Sequence, residues 1–362
     1  MIKADFINSN YYFLEKHKER AEKFKEHYEL ISEISSEHDI VNFVPKENRI
    51  CYFCKEKFPI AKFTKDAHLI PELLGNRKLV YYNECDICNG MFSKYENDLA
   101  NFLGLDLTLN FVEGKKKKGG NRVPKFKGDV LNVTPTKTIN HEIISFDRLD
   151  FQNNIFRIAD NNTGLFIDYQ RKPYVPINVY KLLVKIALTM LPQTHYNDYE
   201  FARNYLKLND NCPYGGFEYL SFYKMPITFT YGCPKIMLFE RKSNKKNVFR
   251  NMFILFFQNT MCQGHIPFSW SDRQLISSGT LEMVWSPAIF GSNDENHIGS
   301  FVYEDCVNLS KRDKIYNEKS WVYLPMTNDQ INEVSFPHNE RTFSREKLDI
   351  EKLKTLNIYR RK

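Results

Sequence analysis

Residues 51–104 decide the fold, and they read CYFCKEKFPIAKFTKDAHLIPELLGNRKLVYYNECDICNGMFSKYENDLANFLG. Two Cys-x-x-Cys pairs, Cys51/Cys54 and Cys85/Cys88, frame most of this stretch. Each pair can form a tight turn that aims two thiolates at one point, so the two turns supply the four sulfurs of a tetrahedral structural Zn²⁺. Free or disulfide-bonded cysteines are the alternative, but paired spacing in a chain without a secretion signal favours metal. We therefore predict a four-cysteine zinc site.

The residues between and after the two pairs predict a β-hairpin followed by a helix. Alternating apolar residues and a turn-like Thr64-Lys65-Asp66 predict a hairpin over 58–69, with His68 on its second strand. A helix is predicted from about Cys88 to Leu103, with Asp86 as its cap. The expected apolar face of this helix consists of Ile87, Met91, Tyr95, Leu99 and Phe102, and another face carries Asn89, Ser93 and Glu96.

This arrangement resembles the ββα-metal active site of the HNH endonucleases. The motifs that carry the resemblance are Cys51-x-x-Cys54, Ala67-His68-Leu69-Ile70-Pro71-Glu72, Leu74-Gly75-Asn76 and Glu84-Cys85-Asp86-x-Cys88-Asn89, followed by Phe92 and Glu96. They are most similar to the bacterial four-cysteine subgroup, whose members occur as stand-alone nucleases and as effectors of anti-phage systems. The resemblance covers only this part of the chain.

The resemblance implies roles for individual residues. His68 is expected to be the general base that takes a proton from the attacking water. One divalent ion, Mg²⁺ or Mn²⁺, is expected to stabilise charge on the phosphorane and on the leaving 3′ oxygen. Asn89 occupies the closing position of the motif and is expected to bind or orient that ion. Asn76 and Asn83 are both candidates for the middle asparagine.

Two residues depart from the family pattern. Many HNH enzymes have an acidic metal ligand directly before the base, whereas this chain has Ala67, so a carboxylate must come from elsewhere. We favour Glu96, which lies two helical turns beyond Asn89 on the same side, over the other candidates. Those other candidates are Glu84, Asp86 and Glu72. The closing position is Asn89 rather than histidine, which suits a hard, oxygen-preferring ion. The alternative role for His68 is a hydrogen-bonded core histidine.

Composition and charge limit the classes of protein to which the chain can belong. Among 362 residues, 42% are hydrophobic and 15% aromatic, which is typical of a folded globular protein. Without an apolar run of about 18 residues we expect no membrane span, and without a signal peptide we expect a cytoplasmic location. The net charge of +7 is compatible with nucleic acid, most simply double-stranded DNA. A basic stretch, either a solvated linker or a phosphate contact, contains Lys115, Lys116, Lys117, Lys118 and Arg122.

The rest of the chain predicts an α+β protein. Residues 9–36 show a seven-residue apolar repeat that predicts one long helix, through which we expect a homodimer. The segment Val179–Leu191 predicts an apolar helix with Lys181 and Lys185 on its exposed side. Strands are predicted near 130–133, 143–146, 165–169, 227–231, 236–239, 252–257, 280–285 and 321–324.

Four segments follow from these patterns. They are an N-terminal helical segment (1–45), an HNH domain with the zinc site (46–112), a basic linker (113–128) and a larger mixed α/β C-terminal domain (129–362). The last is expected to recognise nucleic acid, or to respond to an activating ligand or partner protein.

Two functions remain open. The first is a metal-dependent HNH endonuclease that hydrolyses DNA, for example in restriction or anti-phage defence. The second is a catalytically inactive zinc-ribbon module that binds nucleic acid or protein. Retention of His68 with a carboxylate facing it favours the enzyme.

Overall fold

The computed structural model describes residues 2–5, 7, 11–37, 43–115, 121–137, 141–149, 155–159, 164–208, 216–226, 229–245, 247–291, 303–325, 333–338, 342–347 and 355–361. These residues form helices and several antiparallel sheets, as expected for the α+β class. The helices are α1 (Lys18–His27), α2 (Asp86–Leu103), α3 (Leu105–Leu109), α4 (Pro176–Met190), α5 (Glu200–Lys207) and α6 (Arg273–Ser278).

The strands are β1 (Ile2–Lys3), β2 (Tyr11–Phe13), β3 (Tyr28–Ser35), β4 (Gly114–Lys115), β5 (Asn121–Arg122), β6 (Phe126–Lys127), β7 (Leu131–Lys137), β8 (His141–Arg148), β9 (Phe156–Ile158), β10 (Gly164–Gln170), β11 (Tyr219–Lys224), β12 (Lys235–Arg241), β13 (Asn251–Phe257), β14 (Thr260–Ile266), β15 (Ile289–Gly291), β16 (Tyr303–Asn308), β17 (Lys319–Pro325), β18 (Glu333–His338), β19 (Thr342–Lys347) and β20 (Thr355–Arg361).

The chain divides into two compact units. The first comprises Met1–Leu99, Val175–Met225 and Phe229–Lys314, and the second comprises Ala100–Tyr174, Pro226–Thr228 and Ile315–Lys362. Each unit is therefore assembled from segments that are distant in sequence. The four segments predicted from sequence stay a prediction.

The first unit contains a six-stranded antiparallel sheet in the order β16-β11-β14-β13-β12-β3. All residues of β13 and β14 are buried; β13 is almost entirely apolar, whereas β14 also contains the buried polar residues Thr260, Gln263 and His265. The helix α4 packs against β14, β12 and α5. Pro176 begins α4, where a missing amide hydrogen costs nothing, and Pro192 follows its end.

The second unit contains two sheets that share a core. Their orders are β17-β10-β9 and β20-β8-β7-β6, and every pairing is antiparallel. Leu165, Ile167 and Tyr169 point to one side of β10 and join the core, whereas the alternating Phe166, Asp168 and Gln170 are half-buried on the other side.

The prediction of one long helix over 9–36 is wrong. A helix covers only Lys18–His27, and the chain then continues as β3, which pairs with β12 at the edge of the six-stranded sheet. The buried Ala21 and Phe24 of the repeat lie on α1, but Tyr28 and Ile31 lie on the strand. Pairing with a distant strand therefore overrides a local pattern that fits a helix.

The prediction that Lys181 and Lys185 mark an exposed side of the apolar helix is also wrong, since both are buried in α4. Residues 280–285 form no strand, and neither do the described residues 229–231. The other predicted strands are confirmed, as β7, β8, β10, β12, β13 and β17.

Candidate metal centre and active site

The four predicted cysteines converge on one point. Their sulfur atoms all lie within 4.8 Å of one another, and the Sγ atoms of Cys54 and Cys85 are 3.7 Å apart. Four Zn–S bonds of about 2.3 Å in tetrahedral geometry place the sulfurs about 3.8 Å apart, so the donor set fits this ion. The cysteines can therefore hold a metal ion such as zinc. Among the residues that the structure describes, no other group of three or more His, Cys, Asp or Glu side chains converges in this way.

Local backbone geometry aims the cysteine pairs at each other. In the first pair, the amide of Cys51 donates to the carbonyl of Glu56 (2.8 Å) and the amide of Lys55 donates to the carbonyl of Cys51 (2.9 Å). Lys55 adopts a left-handed conformation (φ 65°), which closes this turn. In the second pair, Cys88 lies in the first turn of α2 and Cys85 directly precedes that helix.

Hydrogen bonding and burial shift the pKa values of the cysteine thiols in opposite directions. Hydrogen bonding with Cys88 lowers the pKa of Cys51 to about 4, against the opposing effect of burial. The same contact raises the pKa of Cys88, and burial raises that of Cys54 to about 11. Without a cation, the group thus favours one thiolate stabilised by its neighbours. A bound Zn²⁺ would favour four thiolates, and its binding should release protons.

The predicted β-hairpin over 58–69 is not formed. The amide of Leu69 donates to the carbonyl of Leu79 (3.0 Å), and the amide of Tyr81 donates to the carbonyl of Ala67 (2.6 Å). These contacts surround an isolated β-bridge between His68 and Val80, and the described residues 43–113 contain no strand. Of the predicted hairpin and helix, only the helix is confirmed, as α2.

Asp86 explains why residues 58–66 form no strand. Its carboxylate accepts hydrogen bonds from the amides of Thr64 (2.8 Å) and Lys65 (3.0 Å) rather than capping α2 as predicted. Burial raises the pKa of Asp86, but the hydrogen bonds from Thr64 and Lys65 outweigh it and lower the pKa overall. Of the predicted apolar face of the helix, Tyr95, Leu99 and Phe102 are buried and Met91 is half-buried, but Ile87 is 82% exposed.

Asn76 holds the loop between His68 and Val80, which form an isolated β-bridge. It is fully buried, and its Nδ2 donates to the carbonyls of Ile70 (2.6 Å) and Leu79 (3.0 Å). Its Oδ1 accepts from the amides of Lys78 (3.1 Å) and Leu79 (2.9 Å). These contacts use both donors and both acceptor positions of the amide, so Asn76 fixes the loop that follows His68 and does not reach a substrate.

His68 lies beside a carboxylate. Its Nε2 is 2.9 Å from Oε1 of Glu72, which belongs to a short 3-10 helix (Glu72–Leu74) in the loop. The two side chains are 14% and 23% exposed. Because Nδ1 of His68 is buried, Nε2 is the ring nitrogen nearer to solvent. The imidazole is therefore placed for proton transfer at one defined atom.

A further group of charges accompanies this pair. Burial raises the pKa of Glu96, and the charges of Glu84 and Glu72 raise it further, against the effect of Lys185. The charge of Glu72, the partner of His68, therefore acts on the carboxyl group of Glu96. Nζ of Lys185 lies 2.7 Å from Oε2 of Glu84, and both side chains are almost completely buried. Burial also raises the pKa of Glu84, while Lys185 acts in the opposite direction.

The remaining predicted site residues are placed less tightly. Asn89 is half-buried on α2, seven residues before Glu96 and therefore on the same side of the helix. Oδ1 of Asn83 is buried without a hydrogen-bond partner among the described residues. Lys115 and Arg122 lie on the paired strands β4 and β5, whereas Lys116, Lys117 and Lys118 lie outside the described residues.

Sequence reasoning missed Lys185 and only partly anticipated Glu72. Lys185 lies on a helix far away in the chain, and its apolar neighbours carried no signal of a site. Glu72 was one of four candidate carboxylates, and its position four residues after His68 was the available signal.

Comparison with known proteins provides no family assignment. No protein-family model matches the chain, and neither a curated protein nor a solved structure is significantly similar to it. Among the described residues, no helix is both long enough and apolar enough to cross a membrane.

Proposed function

We propose that this protein is a metal-dependent endonuclease of the HNH type that hydrolyses phosphodiester bonds of duplex DNA. The observation that carries the proposal is the 2.9 Å contact between Nε2 of His68 and Oε1 of Glu72. A histidine with an adjacent carboxylate can combine a general base with a ligand for a hard cation. The four-cysteine group and the helix α2 support the same proposal.

The proposed reaction begins at His68. In the contact with the Glu72 carboxylate the ring proton lies on Nε2, so the ring first releases this proton to solvent and takes up one on Nδ1. Nε2 then accepts one proton from a water molecule as the water oxygen attacks the phosphorus. The bond from phosphorus to the 3′ oxygen breaks and the leaving oxygen takes up a proton from solvent, which leaves a 5′-phosphate and a 3′-hydroxyl. The carboxylate of Glu72 stabilises the imidazolium that forms, since an adjacent negative charge favours the protonated ring.

Glu96 and Asn89 are the proposed ligands of the catalytic ion, with Glu72 as a third oxygen donor. They offer carboxylate and amide oxygens, which Mg²⁺ and Mn²⁺ prefer. When bound, such an ion stabilises negative charge on the phosphorane and on the leaving oxygen. Burial and the charges of Glu84 and Glu72 raise the pKa of Glu96, so a bound cation would favour its ionised form.

The test is cleavage of supercoiled plasmid by the zinc-loaded protein with Mg²⁺ or Mn²⁺, followed by analysis of the product ends. We expect nicking that requires the added ion and yields 5′-phosphate ends. Glu96→Gln should raise the ion concentration needed for half-maximal cleavage, whereas Glu22→Gln on the exposed side of α1 should not. Equal metal dependence of the two variants would contradict the role of Glu96.

The second candidate is a nucleic-acid-binding module without catalysis. Ala67 in place of an acidic ligand and the full engagement of Asn76 in loop contacts favour this alternative. Binding of plasmid DNA without cleavage at any Mg²⁺ or Mn²⁺ concentration would support it over the enzyme.

A further inference from the structure

The second unit contains a cavity of about 400 Å³ that is separate from the proposed nuclease site. It lies along β10 and β17, next to the end of β9. Its lining residues are Val130, Ile155, Asp168, Tyr169, Gln170, Lys319, Ser320 and Trp321. Cavities of this size with an apolar lining and a few polar groups are typical sites for small molecules.

The strand register places four different functional groups on one side of the sheet. Trp321 stands opposite Asp168, and Lys319 stands opposite Gln170. Directly opposed residues of antiparallel strands project from the same face, so indole, carboxylate, ammonium and amide groups are neighbours. The apolar Val130 and Ile155 complete the lining.

The indole of Trp321, which forms the aromatic side of the cavity, is held in orientation by its neighbour Phe166. The ring of Phe166 packs edge-on against Trp321, with centroids 5.1 Å apart and an interplanar angle of 86°. Arg157 lies over the ring of Phe166 (5.2 Å) and is held by two hydrogen bonds to Asp168, of 2.7 and 2.8 Å. Trp321 is half-buried and forms part of the cavity lining.

The charge of the cavity favours an anionic group at one end. Asp168 is neutralised by Arg157, whereas Lys319 is exposed and lies within 4 Å of no carboxylate oxygen among the described side chains. Lys319 therefore contributes the unbalanced positive charge. The amide of Gln170, on the same face as Lys319 and Trp321, adds hydrogen-bonding groups that can read the polar edge of a ring.

We propose that this cavity binds a mononucleotide, with the base stacked on Trp321 and the phosphate at Lys319. The volume suits one planar ring system with an attached anion. Stacking on an aromatic side chain contributes about 1–3 kcal/mol per base, and an ammonium group provides the point charge for phosphate. The proposal does not depend on nuclease activity.

Calorimetric titration of the full chain with AMP, GMP, CMP and UMP tests the proposal. We expect saturable binding of at least one of them, with adenosine-type nucleosides and ribose 5-phosphate each binding roughly tenfold or more weakly, because each lacks one recognised group. Absence of saturable binding by all four monophosphates would overturn the proposal.

Two variants assign binding to the cavity. Lys319→Gln should weaken nucleotide binding about tenfold and leave nucleoside binding unchanged, whereas the exposed Lys172→Gln in the same unit should change neither. Trp321→Leu should weaken both, and loss of nucleotide-induced fluorescence quenching in Trp321→Phe, but not in Trp285→Phe, would locate the base. Affinities that are unchanged in Lys319→Gln and Trp321→Leu would place the binding site elsewhere and overturn the proposal.

Discussion

Lys185 and Glu84 form a buried ion pair. Glu84 directly precedes the second cysteine pair, whereas Lys185 lies on α4. Their side chains are 2% and 0% exposed, and the ammonium group also lies 5.3 Å from the ring of Phe92. A buried charge is tolerated only with a partner, so removal of one member should leave the other uncompensated. The pair therefore ties α4 to the residues that support the metal centre.

Lys185→Met should lower the free energy of unfolding by about 3–5 kcal/mol, because the carboxylate of Glu84 loses its counter-charge. The double variant Lys185→Met/Glu84→Gln should regain a large part of this loss. Urea unfolding of both variants measures the effect, with Lys18→Met on exposed α1 as the control. A single variant as stable as the control would show that the pair contributes little.

His265 should make stability depend on pH. Burial lowers its pKa to about 3, although a hydrogen bond with the carbonyl of Val284 (3.1 Å) raises it in part. The unfolded chain, with an ordinary pKa near 6.5, binds a proton between these values while the folded chain does not, so stability falls as pH decreases below about 6.5. At pH 5 the loss is about 2 kcal/mol.

The measurement is the change in unfolding free energy between pH 7.5 and pH 5 for wild type and His265→Gln, with zinc content checked at both values. The variant should lose about 2 kcal/mol less than wild type over this interval. An identical change in both proteins would show that His265 is not the group responsible.

Individual residues were predicted well where spacing alone determines geometry. The two Cys-x-x-Cys pairs were sufficient for the four-cysteine group, because each pair forms a local turn. Asn76 could not be assigned from sequence, since its role depends on the carbonyls of Ile70 and Leu79 that the folded loop brings to it. Lys185 could not be placed either, since its partner Glu84 is distant in sequence.

Among the elements of residues 51–104, the helix was predicted but the β-hairpin before it is not formed. The hairpin over 58–69 was inferred from alternation of apolar residues. In the structure, the carboxylate of Asp86 accepts hydrogen bonds from the amides of Thr64 and Lys65, and His68 forms only an isolated bridge with Val80. A side chain that binds backbone amides competes with strand pairing, and sequence alternation carries no information on that competition.

Removal of the metal should unfold this part of the chain. Cys85→Ser should lose stoichiometric zinc, and hydrogen exchange should increase in residues 51–54, 67–69 and 79–88, which the ion would hold together. Cys306→Ser, at an exposed cysteine outside the group, should retain zinc and normal exchange. Full protection of these segments in metal-free protein would show that the cysteine group does not depend on an ion.

For the whole molecule, local sequence patterns could not predict how the chain is divided into its two compact units. The edge strand β3 comes from the N-terminal region and pairs with β12, more than half the chain away. Likewise, β20 from the C-terminal end pairs with β8. Six predicted strands were nevertheless confirmed, because their apolar patterns are local features, whereas β3, β11, β14 and β16 of the six-stranded sheet were not predicted.

The central claim is that His68 is the general base of a nuclease. The most direct measurement compares the rate of Mg²⁺-dependent plasmid cleavage by His68→Ala with that of wild type, at equal zinc content and with His17→Ala as the matched control. We predict a decrease of about 10²–10⁴-fold for His68→Ala and no significant change for His17→Ala. Cleavage by His68→Ala at the wild-type rate would contradict the account.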